Sequence, residues 1–263
     1  MRSLKNISDL VRKKVIYLSY KAKTAHLASS LSCVDILVTI YELFLNYNKS
    51  KKQNDTFILS KGHAAMALYS VLNYKKIISN RLFESYSKKG SILEEHPTHN
   101  IPGVTIATGS LGHGLSIGCG IALGCKLKKL NKKIYVLLSD GECNEGSVWE
   151  AVLFAASNKL NNLIIIVDCN KWQATGKTKD ILNLKNLKKK FEAFGFMSMD
   201  IDGHNFKKII NSLKTKSLNK PIAIIANTIK GRGVSFMEDD NNWHYKSPSK
   251  EEYLNAINEI ENK

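Results

Sequence analysis

Apolar positions along the chain fall into two kinds of run. Short unbroken stretches rich in β-branched residues occupy 56–59, 134–138, 163–167 and 221–226, and runs of that length between turn residues read as buried strands. A weaker stretch at 196–201, between Gly195 and the turn signal Asp202–Gly203, reads as a fifth strand. Elsewhere the apolar residues recur at helical spacing: Leu4, Ile7, Leu10, Val11, Val15 and Leu18 mark one face of a first helix, with lysines between them. The pattern predicts helices over 5–24, 33–46, 63–76, 79–88, 112–130, 147–159, 184–194, 205–217 and 250–261, the last opened by a Ser249/Glu252 capping box. Strands alternating with helices predict an α/β fold, a three-layer sandwich with a mostly parallel sheet flanked by helices. Only four prolines occur, and no linker, repeat or low-complexity tract divides the chain, so 1–263 reads as a single domain.

The segment from Asp140 to Asn170 runs from one strand end through a turn and a helix to the end of the next strand. In such a right-handed unit the strands are parallel, so both residues emerge on the carboxyl edge of the sheet, where α/β folds bind ligands. A carboxylate, an amide oxygen and a backbone carbonyl just beyond Asn170 make a partial hard-oxygen shell for Mg²⁺ or Ca²⁺, with room for phosphate oxygens. The helix start near 145–147 adds free N–H groups and a positive dipole end for the same anion. Asp-Gly after a strand, or Asn at a strand end, is alone no more than a turn or a cap. Their joint occurrence in this context, with Glu145 between them, points to a site.

His63 follows a strand end and opens a helix, where an anion docks. The stretch 90–112 lacks periodicity, contains His96 within Glu95–His96–Pro97 and ends in Gly109–Ser110–Leu111–Gly112. Long ordered loops carry function, and its glycines permit close backbone approach. Small residues continue down the following helix as Ser116, Gly118, Gly120, Ala122 and Gly124, which predicts tight packing at a subunit interface.

The net charge of +16 raises nucleic-acid binding as a question, and the composition answers against it. Of 39 basic residues only Arg2, Arg12, Arg81 and Arg232 are arginine, the side chain whose planar fork suits phosphate and base edges. The lysines are scattered over predicted helix faces, as at Lys188–Lys190. Five cysteines form no CxxC pair, so reduced, mostly buried thiols in a cytoplasmic protein are expected. No apolar run reaches membrane-spanning length and no export signal is read at the N-terminus.

The motifs SKGHA (60–64), EHP (95–97), TGSLGHG (108–114), SDGECNEG (139–146) with DCN (168–170), DGH (202–204) and KGRGVSFMED (230–239) stand in the order found in transketolases. From about Lys21 to His244 the chain resembles the N-terminal, diphosphate-binding half of a transketolase, in the form that works with a separately encoded C-terminal subunit. The resemblance implies thiamine diphosphate and Mg²⁺ as cofactors, with Ca²⁺ as a substitute, and transfer of a two-carbon ketol unit from a ketose phosphate to an aldose phosphate. It implies that Asp140, Asn170 and the carbonyl of Trp172 bind the metal, and that Gly141 and Asn170 contact the diphosphate. His63 and His244 would face diphosphate and substrate, Gly109, Ser110 and Leu111 would pack against the cofactor, and His26 and His96 would serve the sugar hydroxyls. Glu145 matches a buried interface glutamate.

The sequence stops at Lys263, ahead of any pyrimidine-binding domain that would supply the ring-activating glutamate. The resemblance therefore implies a partner subunit carrying that domain, an α₂β₂ assembly, and no activity of this chain alone. Ser139, Cys169 and His113 depart from the family pattern, and glycines are lost around His26; if those glycines served positive φ, their loss displaces His26. Two rival readings share the metal motif. One is a subunit of another thiamine-diphosphate enzyme, of the deoxyxylulose phosphate synthase or 2-oxo acid dehydrogenase type; the other is a non-catalytic scaffold.

Overall fold

The computed structural model describes residues 3–47 and 55–262. Five strands, β1 (Thr56–Leu59), β2 (Ile134–Ser139), β3 (Leu163–Cys169), β4 (Met197–Asp202) and β5 (Ile222–Asn227), form one sheet in the order β1-β2-β3-β5-β4. Every neighbouring pair is parallel, with Ser139 opposite Asp168 and Cys169 opposite Asn227. All five strands therefore end on one edge of the sheet. The helices are α1 (Leu4–Ala22), α2 (Leu27–Ser32), α3 (Val34–Thr39), α4 (Ala65–Tyr74), α5 (Asn80–Phe83), α6 (His113–Leu127), α7 (Gly146–Ser157), α8 (Thr178–Ile181), α9 (Leu187–Ala193), α10 (Phe206–Lys214) and α11 (Lys250–Glu261).

Side chains of successive strand residues point to opposite faces, and the two cores divide on that period of two. Tyr135, Leu137, Ile164, Ile166, Ile222 and Ile224 pack under α1, α3, α4 and α10. Ile134, Val136, Leu138, Leu163, Ile165 and Val167 pack under α6, α7 and α9. Burial on both faces explains why the central strands read as unbroken apolar runs. β4 lies at the sheet edge and none of its residues is fully buried, which is why its sequence signal was weak.

Several expected helices are shorter. The helix expected over 5–24 ends at Ala22, because Lys23 and His26 take positive φ of 55° and 68° and turn the chain into the unforeseen α2. The 33–46 prediction resolves into α3 followed by a π-helical turn at Ile40–Phe44. That over 79–88 keeps only α5, and α8 was not anticipated. The Ser249/Glu252 capping box is present, and all five cysteines are free. Among the described residues no helix is long and apolar enough to cross a membrane.

The small residues of α6 divide. A Cβ on Gly118 would stand 2.7 Å from Val136 Cγ2, so its packing is against the sheet, whereas Gly120 and Gly124 face open space. Ile117 of α6 and Leu153 and Phe154 of α7 are exposed nearby along these paired helices.

Candidate active site

Asp140 follows β2 and Asn170 follows β3, and both are buried, at 2% and 3% exposure. Asp140 Oδ2 accepts from the Lys171 N–H at 3.0 Å and the Thr178 hydroxyl at 2.8 Å. Its Oδ1 is buried and has no hydrogen-bond partner. Burial pushes this carboxyl up to about 6 despite the Thr178 hydrogen bond. A buried carboxylate oxygen without a donor calls for an explanation, and a cation supplies one. Asn170 Oδ1 accepts from the Trp172 N–H at 3.0 Å and keeps a second lone pair. Among the described residues no three His, Cys, Asp or Glu side chains converge as metal ligands. An ion at this edge would thus rest on one carboxylate, the Asn170 amide oxygen and the Trp172 carbonyl, with phosphate oxygens completing a hard shell of the kind Mg²⁺ takes. A cavity of about 580 Å³ opens beside them, lined by Asp140, Asn170, Lys177, Lys179, Thr228 and Ile229.

Beneath this edge lies a pair that sequence reasoning missed. Asp168 is fully buried and accepts from the Ser32 hydroxyl at 2.6 Å, from Thr228 and from Lys61. The Lys61 ammonium, equally buried, also donates to the Ser29 carbonyl at 3.0 Å. Burial opposes both charges, but their mutual attraction prevails: the Asp168 carboxyl lies below its ordinary value and the Lys61 ammonium above its own. Lys230, 1% exposed, differs. It donates to Asn241 Oδ1 at 2.6 Å, lies 3.3 Å from His244 Nδ1, and has no carboxylate within ion-pair distance among the described residues. Burial, then repulsion by Lys61, pushes it down to about 8. Both stand inside the motifs SKGHA and KGRGVSFMED, but in a chain this rich in lysine only burial singles out their ammonium groups.

The four expected histidines converge. Ring centroids lie 5.0 Å apart for His26 and His244, 5.7 Å for His26 and His63, 5.9 Å for His26 and His96, and 6.0 Å for His63 and His244. His26 itself adopts the left-handed conformation while its N–H donates to the His244 carbonyl at 2.7 Å. His26 Nδ1 stands 3.3 Å from Glu95 Oε2, without hydrogen-bond geometry. His96 is exposed at the mouth of the cluster and His244 buried within it.

Burial lowers His26 and His63, the latter well below its ordinary value, and burial with the Lys230 charge takes His244 down to about 3. These rings are neutral at neutral pH, each able to donate at one nitrogen and accept at the other. Lys230 lies against His244 Nδ1, which assigns that nitrogen as acceptor and Nε2 as the N–H. In a pH titration of the ligand-free protein by ¹⁵N NMR, His244 is expected to stay neutral down to about pH 3. Protonation near pH 6 would contradict this geometry.

Gly109–Leu111 arches over the His63 turn. A Cβ on Gly62 would stand 2.9 Å from Gly109 N, and one on Gly109 would stand 3.3 Å from the His96 ring. Ser110 is exposed and Leu111 half-buried. A Cβ on Gly141 would stand 2.9 Å from Gln173 Cγ. Glu145, expected to be buried at an interface, is exposed on this chain, so any burial must come from a partner. The buried glutamate is Glu142, which accepts from the Ser60 hydroxyl, from Gly112 N–H at 2.9 Å and from Ser139 N–H at 3.3 Å. Ser139, in place of the usual glycine, accepts the Glu142 N–H at 3.1 Å with its hydroxyl.

Residues 4–260 match the family model described as the transketolase, thiamine diphosphate binding domain. The chain is 38% identical to an apulose-4-phosphate transketolase subunit of Phocaeicola vulgatus, an alignment covering 96% of this chain and 92% of that protein. It is 34% identical to the 6-deoxy-6-sulfo-D-fructose transketolase subunit SqwG of a Clostridium species, covering 98% and 96%. Human transketolase is 34% identical over 99% of this chain, which spans only 42% of that protein. The crystal structure of transketolase from Campylobacter jejuni superposes with a TM-score of 0.93 at 30% identity, covering 99% of this chain and 43% of that one.

Proposed function

The chain belongs to the transketolase family as its thiamine diphosphate binding domain, and from that premise we propose that it is the metal- and diphosphate-holding subunit of a two-chain transketolase. The observation that carries the reading is the unpartnered Asp140 Oδ1, buried beside Asn170 at the edge where four histidines meet. Asp140, Asn170 and the Trp172 carbonyl hold Mg²⁺, and Ca²⁺ suits the same oxygens. Gly141, Asn170, His63 and His244 face the diphosphate, and the Lys230 ammonium offsets its charge. Gly109, Ser110 and Leu111 lie against the cofactor. Thiamine diphosphate, when bound, supplies a thiazolium that can carry a two-carbon ketol unit as a stabilised carbanion.

The protein's own work is orientation and proton movement. His26 and His96, at the mouth, hold the hydroxyls of a ketose donor and an aldose acceptor and exchange protons with them, as neutral imidazoles can near working pH. His63 and His244, deeper and uncharged, donate through N–H groups without adding a second positive charge next to Lys230.

A partner follows from two further points. The relatives matched over nearly their whole length are named as subunits, and the Ile117, Leu153 and Phe154 face of α6 and α7 leaves large apolar side chains uncovered. The C-terminal subunit, carrying the pyrimidine-binding domain, covers that face and Glu145 in an α₂β₂ assembly. The substrates are sugar phosphates or close analogues.

The test is calorimetric titration of the chain with thiamine diphosphate and Mg²⁺ beside its partner subunit, followed by a substrate panel. The panel holds pentose phosphates, apulose-4-phosphate, 6-deoxy-6-sulfo-D-fructose and a 2-oxo acid. Metal-dependent binding with ketol transfer is expected. Absence of binding with metal and partner present sinks the reading, and turnover of the 2-oxo acid alone would move the chain to another thiamine-diphosphate activity.

A further inference from the structure

Three ionisable side chains behind the cavity lining take no part in the function above. Arg12 of α1 and Asp35 of α3 are 5% and 4% exposed, with Arg12 Nη2 2.6 Å from Asp35 Oδ2. The same oxygen lies 2.8 Å from Nδ1 of His204, in the turn after β4. Burial alone would raise the Asp35 carboxyl; the Arg12 guanidinium and His204 outweigh it and hold the group ionised, below its ordinary value. A carboxylate oxygen only accepts, so His204 Nδ1 carries the hydrogen. Its Nε2 then accepts from the Ile229 N–H at 2.9 Å.

The turn is built to deliver that ring. Asp202 Oδ1 accepts the His204 N–H at 2.9 Å and Gly203 N–H donates to the Asn227 carbonyl at 2.8 Å. A Cβ on Gly203 would stand 2.5 Å from Thr228 Cγ2, so only glycine lets the turn press on the end of β5. The far end of the following segment is gripped by the same cluster: Arg12 Nε donates to the Arg232 carbonyl at 3.0 Å. A Cβ on Gly233 would meet Arg12 Cδ at 2.6 Å, and Gly231 N–H donates to the Ala28 carbonyl at 3.0 Å. Between the two grips lies Lys230, whose ammonium reaches Asn241 and His244.

We propose that His204 is a positioning residue: with Asp35 and Arg12 it clamps Ile229–Arg232 at both ends, so that Lys230 presents a pre-placed ammonium to phosphate oxygens. A lysine is a flexible point charge, and its attraction for an anion is largest when backbone freedom has been removed before the ligand arrives. The inference rests on the diphosphate reading above.

A double-mutant cycle tests it, with the Kd for thiamine diphosphate in saturating Mg²⁺ measured by calorimetry on the assembly with its partner. His204→Ala weakens binding about tenfold when Lys230 is present, and less than about twofold in a Lys230→Met background, because coupled residues are non-additive. His204→Gln, whose amide oxygen can take the Ile229 N–H, recovers most of the loss. Equal losses in both backgrounds, or none in either, overturn the proposal. Should the alanine variant fail to fold, His204→Asn, which retains the Asp35 bond but not that to Ile229, carries the same cycle. A ligand-free measurement separates the clamp from the functional reading: hydrogen exchange of the Ile229 amide is about tenfold faster in His204→Ala, while amides of α4 are unchanged. If the wild-type assembly binds no cofactor, the function falls, and exchange decides the clamp: acceleration confined to 228–232 sustains it and unchanged exchange refutes it.

Discussion

Asp140→Asn is expected to abolish Mg²⁺-dependent cofactor binding and to lower ketol transfer by at least about a hundredfold, since even partners one step removed from a metal are worth about 10- to 100-fold. The asparagine keeps the two hydrogen bonds that Oδ2 receives from Lys171 and Thr178, so local structure survives. What disappears is the negative charge on the unpartnered side of the residue. The same substitution is expected to raise the thermal midpoint of the metal-free protein at pH 8. Asp140 has its folded carboxyl pushed up to about 6 by burial. A raised carboxyl contributes its stability only below the unfolded value near pH 4, and that stability is lost as pH rises through 6. At pH 8 the metal-free fold therefore carries a charge it would rather not hold, a cost on the order of 2 to 3 kcal/mol that asparagine removes. Differential scanning calorimetry of both proteins at pH 5 and pH 8 in a chelator reads this directly. A variant that loses activity and is also less stable at pH 8 would show that Asp140 serves the fold and not an ion.

Phe154→Glu is expected to leave the isolated chain folded and to eliminate activity of the assembly. Phe154 is 42% exposed and Leu153 56% exposed on α7, which packs on α6, where Ile117 is 42% exposed. A glutamate there is free in the single chain, whose thermal midpoint should hardly move. In the assembly it would lie within an apolar contact, where an unpaired carboxylate costs several kcal/mol, weakening association by about a thousandfold or more. Analytical ultracentrifugation with the partner subunit gives the association, and the ketol-transfer assay the consequence. Retention of both by Phe154→Glu would place the partner on another surface.

The metal loops were legible because their chemistry is local. Asp140 and Asn170 each sit one residue beyond a strand, and strand ends follow from apolar runs bounded by turn residues. The histidines were legible as motifs but not as a cluster, since 26, 63, 96 and 244 are brought within ring contact only by the sheet and the turns after β1 and β5. The left-handed conformation at His26, in a segment where neighbouring glycines are lost, is held by its N–H bond to the His244 carbonyl, a contact 218 residues away in sequence. Short α2 is buried throughout, serines included, so it has no solvent-facing side and no apolar period for a sequence to display. Glu142 and Glu145 are three residues apart and equally acidic; which is buried depends on α6 lying across the turn.

The sequence by itself determined the alternation of strands and helices, the parallel sheet, and the residues standing at its carboxyl edge. These are consequences of side-chain period and turn chemistry, which act over a few residues. Only the tertiary structure decided which charges are buried and what state they hold. Lys61 meets Asp168 across 107 residues and His204 meets Asp35 across 169. Lys230, buried like Lys61, lies among uncharged hydrogen-bonding partners where Lys61 has a carboxylate. Protonation follows from burial and nearby charge, and both are properties of the packed molecule.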